Sequence, residues 1–244
     1  MDRLAADLER ARRLTILALF VMVILFILFE ALRGEHFWNK VKGEGNLWNY
    51  GSSLVYFMVG EMAIVNAVLV GYHERITEER GRSWRVLIWA AVGAAFVFFA
   101  CDEMLTIHEK LGLAIESSMP WVSHVYPGRA DNLITAGYGL GAVLFTIFLL
   151  RSLQIDSKTR GYFFAGMLMT IGAAALDVIP RELYVNYLPF RETEELLEVF
   201  AGFSFTASFI SFGAFTLAGI LRAADERLSE AITESGVIES GPRA

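Results

Sequence analysis

The stretch VLIWAAVGAAFVFFACDEMLTI, residues 86–107, decides the fold, because its first 16 residues carry no charge. A helix of about 20 mostly apolar residues crosses the roughly 30 Å hydrocarbon core of a bilayer. The apolar run ends at Asp102 and Glu103, and His108 and Glu109 follow closely. Four ionisable groups in this position mark either the point where a helix leaves the membrane or a binding site.

The whole chain has the composition of a membrane protein. Of its 244 residues, 55% are hydrophobic and only 20% are charged, and the mean hydropathy is +0.46. An ordinary soluble domain of this length is less apolar. The sequence predicts an all-α integral membrane protein, a six-transmembrane-helix bundle embedded in a lipid bilayer. The six predicted spans are residues 14–32, 52–72, 86–107, 133–151, 161–179 and 196–221.

The basic residues predict how this bundle is oriented. Of 21 Lys and Arg residues, 14 fall in the segments on the side that holds both termini and 7 fall in the opposite loops. Cytoplasmic segments carry the excess of Lys and Arg, so we expect both termini to be cytoplasmic in a cell inner (plasma) membrane. The expected organisation is one transmembrane domain over residues 1–228 and a flexible cytoplasmic tail over residues 229–244. The net charge of −6 offers no basic surface for nucleic acid, which excludes that class of partner.

Acidic side chains gather at the outer end of the predicted bundle. They end the third and fifth predicted helices and begin the sixth, and a histidine lies among them. Carboxylates and imidazoles that converge from several helices form a ligand set that Fe, Mn or Zn accepts. The candidate metal ligands are Asp102, Glu103, His108, Glu109, Asp177, Glu195 and Glu198, with Glu61, Glu194 and His124 as secondary candidates. The structural alternative is that each acid marks a helix leaving the membrane or caps a helix start.

Helix geometry limits which of these ionisable groups can meet: Asp102, Glu103, His108 and Glu109. At 100° per residue, Asp102 and Glu109 lie within about 40° of each other on one face of a continuous helix. Glu103 and His108 lie to either side of that face. We therefore expect Asp102 and Glu109 to be the inward pair. Three stretches are expected to be outer loops, residues 33–51, 108–132 and 180–195, and His73 is expected in an inner loop.

Glu61 lies near the middle of the second predicted span. An ionised carboxylate at that depth costs several kcal/mol unless it is paired, hydrated or protonated. It supports a second hypothesis, proton or cation transport. A third hypothesis is an accessory subunit of a larger membrane complex, or a homo-oligomer, in which the acids cap helices and contact a partner.

Three segments of the chain together resemble a known group of proteins. CDEMLTIHE, AALDVI and EELLEVFAG, within about residues 98–202, resemble a widespread group of functionally uncharacterised bacterial multi-pass membrane proteins. That group shows Leu-Asp-Glu followed by His-Glu at a helix end, and Glu-Glu-x-x-Glu at the start of the last helix. Here Cys101 stands in place of the Leu, and Asp177 in place of a Glu. The resemblance implies that the acid and histidine set belongs to the architecture, but it implies no reaction.

The sequence therefore predicts a metal-binding membrane protein. If it is an enzyme, we expect a metal-dependent hydrolase or oxidoreductase that acts on a lipid or another apolar substrate near the outer leaflet.

Overall fold

The computed structural model describes residues 2–32, 47–78, 83–125, 130–152, 156–178 and 190–239. Within these ranges the chain is helical and contains no strand, which confirms the all-α class. We number the described helices α1 Asp2–Leu32, α2 Leu47–Ile76, α3 Ser83–Leu105, α4 Ile107–Ser118, α5 Pro120–Val125, α6 Ala130–Ser152, α7 Ser157–Val178 and α8 Phe190–Glu239.

Four stretches of these helices are long and apolar enough to cross a membrane. They are Gly51–Ile76, Trp84–Leu105, Leu133–Arg151 and Leu196–Thr233. They match four of the six predicted spans, so the apolar runs were interpreted correctly there. The other two predicted spans, residues 14–32 and 161–179, fall on α1 and α7, and their crossing of a membrane remains a prediction.

The central helix of the bundle is α8. In its most apolar 18-residue stretch 61% of the residues are buried, against 33% or less in the other three candidate spans. α2 and α7 pack along it, and α1 joins them. Several of its buried hydroxyl groups bond within the helix or to neighbours: Ser208 Oγ donates to the carbonyl oxygen of Thr159 at 2.9 Å. Such hydroxyl bonds between helices are a common device for joining helices in a membrane.

α3 runs antiparallel to α8. The ring of Trp89 lies 4.5 Å from that of Phe212, whereas Phe96, later in α3, lies 5.2 Å from Phe205, earlier in α8. The two helices therefore pass each other in opposite directions. Asp102, six residues beyond Phe96, therefore lies toward the end of the bundle at which α8 begins.

The other helices that contact α8 run either antiparallel or parallel to it. α1 and α7 run antiparallel to α8, and α2 runs parallel to it. The contacts that show this are Arg12–Ser211 and Phe20–Phe203 for α1, Thr159–Ser208 and Met169–Ser204 for α7, and Asn66–Phe209 and His73–Gly219 for α2. We call the end where α3 finishes and α8 begins the carboxylate end, and the opposite end, where α2 finishes and α3 begins, the arginine end.

A partly exposed ion-pair network fastens α1 to its neighbours. The carboxylate of Glu9 accepts hydrogen bonds from Arg12 at 2.7 Å and from Lys158 of α7 at 2.8 Å. Arg12 is 8% exposed and also donates to Ser211 Oγ of α8 at 2.9 Å. The hydrogen bond from Arg12, followed by that from Lys158, holds the pKa of Glu9 well below its usual range.

Two elements differ from the expected boundaries. α8 begins at Phe190 and continues to Glu239, so residues 229–239 of the expected tail are helical. The flexibility of that tail stays a prediction, and residues 240–244 lie outside the described ranges. His73 lies in the last turn of α2 and not in a loop.

Candidate functional site

The segment from Asp102 to Glu109 is divided between two helices, which corrects the expectation of one continuous helix. α3 ends at Leu105 and α4 begins at Ile107. Thr106 between them adopts the left-handed conformation, with φ 49° and ψ 47°. Residues other than glycine visit this region rarely. The change of direction invalidates the helical wheel that set Asp102 and Glu109 on one face.

Asp102 pairs with His108 across this break. Its Oδ1 accepts the backbone N–H of His108 at 2.8 Å, and its Oδ2 lies 3.0 Å from the ring Nδ1 of His108. The carboxylate is buried, at 5% exposure, and both oxygens are used. The first bond also caps α4, because it satisfies an amide of the first helical turn.

The pairing fixes the chemistry of the imidazole ring. An ionised carboxylate only accepts hydrogen bonds, so Nδ1 must carry the hydrogen. In the neutral ring the lone pair is then on Nε2, on the other side of the ring. The hydrogen bond to Asp102 raises the pKa of His108, burial opposes this, and the charges of Glu103 and Glu109 add to the rise.

A second bond crosses the break in the opposite direction. Lys110 Nζ donates to the carbonyl oxygen of Leu105 at 2.7 Å, at the C-terminal end of α3, where a positive charge is favourable. Asp102 and Lys110 thus hold the two helix ends together reciprocally. Sequence reasoning counted Lys110 only as a charge of the outer loop, although a lysine one turn beyond a helix end is a recognised capping signal.

The stretch expected as an outer loop, residues 108–132, is largely helical, which is a second correction. Glu116 Oε1 of α4 accepts the backbone N–H of Ala130, the first residue of α6, at 3.0 Å. At Gly112 the two helices touch, because an added Cβ would lie 2.6 Å from the backbone nitrogen of Asp131. α4 is therefore a packed element that holds the α3–α4 junction against α6.

The other predicted ligands belong to helices that reach the same end. Glu194 and Glu198 are half-buried in the first turns of α8. Asp177 lies in α7 and Glu195 in α8, but their side chains lie outside what the structure describes. Among the described residues, no group of three or more His, Cys, Asp and Glu side chains comes together as a metal site.

Two of the secondary candidates, Glu61 and His124, lie on helices other than the two that form the junction. Glu61 is exposed on α2, and His124 is exposed on the short helix α5. Neither is bonded to the Asp102–His108 pair in the described contacts.

The fold and the junction define an all-helical protein with membrane-length helices and a carboxylate–histidine pair at the end of one of them. The chain belongs to the family of the domain of unknown function DUF8692, which matches residues 14–212. The matched region contains the whole α3–α4 junction and ends within α8. No curated protein and no solved structure matches the chain. The expectation of a functionally uncharacterised family is confirmed, while a bacterial origin and the helix-end motifs as marks of that family remain predictions.

Proposed function

We propose that the chain is a multi-pass membrane protein that binds a divalent metal ion at the carboxylate end, with His108 Nε2 as the central ligand. The observation that carries this proposal is the 3.0 Å contact of Asp102 Oδ2 with His108 Nδ1. Histidines that ligate metals commonly donate their second ring N–H to a carboxylate, which fixes the tautomer and makes the ligating nitrogen more basic. Asp102 therefore acts as a positioning residue and His108 as the ligand.

The remaining ligands would come from neighbouring acids. Glu103 and Glu109 lie close enough for their charges to act on His108. Asp177 and the Glu195–Glu198 turn would contribute from the end of α7 and the start of α8. One imidazole with several carboxylates suits Fe, Mn or Zn.

The position of the site suggests its substrate class. The pair lies at the end of a membrane-length stretch, with Asp102 just before its last residue, Leu105, and His108 just after it, where a lipid or another apolar molecule can arrive laterally from the bilayer. An enzyme of this kind would be a metal-dependent hydrolase or oxidoreductase, since both classes use such a donor set.

Metal binding is tested with the purified full chain in detergent. We expect wild type to bind Co²⁺ or Zn²⁺ with a stoichiometry near one, measured by metal analysis and by the absorption bands of Co²⁺. His108→Gln should abolish the site, and Asp102→Asn should weaken it about 10- to 100-fold through loss of the positioning carboxylate. Glu226→Gln, on the exposed part of α8, is the control for loss of one negative charge. Equal metal affinity in wild type and His108→Gln would overturn the proposal.

We further propose six membrane passes with both termini cytoplasmic, in the inner membrane. The alternating helix directions and the two-to-one distribution of Lys and Arg support this arrangement. The test places single cysteines in a Cys101→Ser background, at Ser117 on α4 and at Ser229 on α8, both exposed. An impermeant thiol reagent added to intact cells should label position 117 and not position 229; the reverse pattern would refute the orientation.

Glu61 does not favour the transport hypothesis. It is exposed on the surface of α2, amid exposed apolar side chains such as Phe57 and Ile64. This face meets lipid or another chain, as in an oligomer or a larger complex. We therefore propose no pathway through this residue.

A further inference from the structure

A pocket opens at the arginine end, far from the Asp102–His108 pair. It has a volume of about 250 Å³ and lies between the end of α2, the start of α3 and the middle of α8. Its polar lining consists of His73, Glu74, Arg85, Thr216 and Arg222. The family match ends at residue 212, so the α8 wall of the pocket lies mostly beyond it.

Buried side-chain polar atoms of this lining have no hydrogen-bond partner among the described residues. They include the Nδ1 of His73 and the Nε of Arg85, both of which are inaccessible to solvent. A buried polar atom in this condition costs free energy, so native proteins seldom leave one unexplained. Both side chains border the same cavity, and a ligand there would supply the missing partner.

The charges of the pocket select an anion. Its lining carries two guanidinium groups, from Arg85 and Arg222, and one carboxylate, from Glu74, which leaves one positive charge in excess. The planar guanidinium fork matches the oxygens of a phosphate group in a bidentate manner. Thr216 adds a hydroxyl donor on the α8 side.

The rest of the lining is apolar and reaches the surface of the bundle. Val70, Phe212 and Phe215 form it, and Phe215 is 56% exposed. The pocket also stands where two membrane-length stretches end, one at Ile76 and the other at Trp84. Such a place is the depth of lipid headgroups, with acyl chains on one side and water on the other.

We infer that this pocket binds a phosphate ester, and its apolar wall favours the headgroup of an anionic phospholipid over a soluble phosphate. The phosphate would lie between Arg85 and Arg222, with His73 as a further hydrogen-bond partner. An acyl chain would run along Phe212 and Phe215. The inference does not rest on the metal site proposed at the other end of α3.

The experiment measures binding to the full chain in dodecylmaltoside micelles by native mass spectrometry and thermal shift. Three probes separate the parts of the ligand: phosphatidic acid, diacylglycerol with the same acyl chains, and glycerol 3-phosphate. We expect phosphatidic acid to bind at least tenfold more tightly than diacylglycerol, because only the former carries the phosphate.

The source of the phosphate follows from the third probe. If glycerol 3-phosphate does not compete, the ligand is a lipid headgroup; if it competes at similar concentration, a soluble phosphate ester is the ligand, and phosphate recognition still stands. Equal binding of diacylglycerol and phosphatidic acid would overturn the inference, as would the absence of binding by all three.

Variants tie the binding to this pocket. Arg85→Gln and Arg222→Gln should each weaken phosphatidic acid binding about tenfold, which corresponds to loss of a charged hydrogen bond. Arg85→Lys, which keeps the charge and loses the fork, should lie between wild type and Arg85→Gln. The matched control is Arg227→Gln, an exposed position farther along α8 whose side chain pairs with Glu78. If Arg227→Gln weakens binding as much as Arg85→Gln, the attraction is general surface charge, and the pocket is refuted.

Discussion

The charged residues at the two ends of α3 differ in whether the protein supplies their hydrogen-bond partners. At the carboxylate end, the buried Asp102 uses both oxygens on His108, and Lys110 closes the break from the other side. At the arginine end, Arg85 and His73 line a cavity, and each has a buried polar atom with no hydrogen-bond partner among the described residues. A single 23-residue helix therefore ends in a completed network on one side and an incomplete one on the other.

This difference shows how a charge at a membrane boundary should be judged. Position alone predicts a charge at either end of a membrane-length helix, because both ends meet water. What separates a structural charge from a binding charge is whether the protein supplies the partner. The Asp102 carboxylate has a structural role in capping α4, and only the far nitrogen of His108 remains for a ligand. Arg85 has no comparable structural role.

Removal of the Asp102 carboxylate is expected to have the largest effect on stability. Asp102→Ala leaves the His108 amide and ring without their acceptor, and hydrogen bonds to charged groups each contribute about 1.5–3 kcal/mol. We expect a loss of about 2–3 kcal/mol in the free energy of unfolding, measured by denaturant titration in detergent. Asp225→Ala, exposed on α8, is the matched control and should change little. A stable Asp102→Ala variant would show that the junction does not depend on this network.

A substitution at Thr106, in the break between α3 and α4, is expected to change the free energy of unfolding by a smaller amount and in the opposite direction. Thr106 has a φ of 49°, and a residue with a Cβ in the left-handed region costs roughly 1–2 kcal/mol. Thr106→Gly removes that cost and should raise the free energy of unfolding by about 1 kcal/mol, while Thr106→Ala keeps the Cβ and should not. Destabilisation by Thr106→Gly would mean that the Thr side chain itself holds the turn.

The arginine end also contains charged residues that hydrogen-bond to one another, in the network around Glu9, and these can be compared with Arg85 and His73. The folded pKa of Glu9 is depressed below 4.5, so its contribution is present above that pH and is lost as the pH falls through the folded pKa. Because Glu9 is partly exposed, we expect wild type to lose only about 2 °C more than Glu9→Gln in melting temperature between pH 6 and pH 3. Parallel pH profiles for the two proteins would contradict a role of this carboxylate in docking α1.

Arg85 is expected to have the smallest effect when the protein is free of ligand. Its Nε makes no hydrogen bond to the described residues, so Arg85→Met should change the free energy of unfolding by no more than about 0.5 kcal/mol. The measurement is the same denaturant titration, run beside Asp102→Ala after extensive delipidation. A loss as large as that of Asp102→Ala would remove the contrast between the two ends and place Arg85 among the structural charges.

The sequence predicts the membrane-length helices well because their signal is local. An uninterrupted apolar run such as residues 133–151 corresponds closely to Leu133–Arg151. The break at Thr106 has no such signal, since neither proline nor glycine marks it. It depends on Asp102 and Lys110, which cap helix ends several residues away. Without the break, a helical wheel selects Glu109 as the partner of Asp102, although the structure selects His108.

The sequence did not predict the helical structure of residues 108–132 or the pocket at the arginine end, for a related reason. α4 is stabilised by Glu116 and by the close contact at Gly112, and both depend on α6. Glycine and polar residues in this stretch are typical of a loop when read alone. Likewise, the arginines near residue 85 served only to orient the bundle, because a pocket between three helices is visible only after those helices are packed.

α8 is a single rod of 50 residues, about 75 Å long at 1.5 Å per residue. It carries Glu198 near one end of the bundle and Arg222 about 36 Å away near the other. A rigid rod cannot rotate or slide at one point alone. Any movement of α8 that admits a lipid beside Arg222 must therefore also shift the position of Glu198 relative to His108.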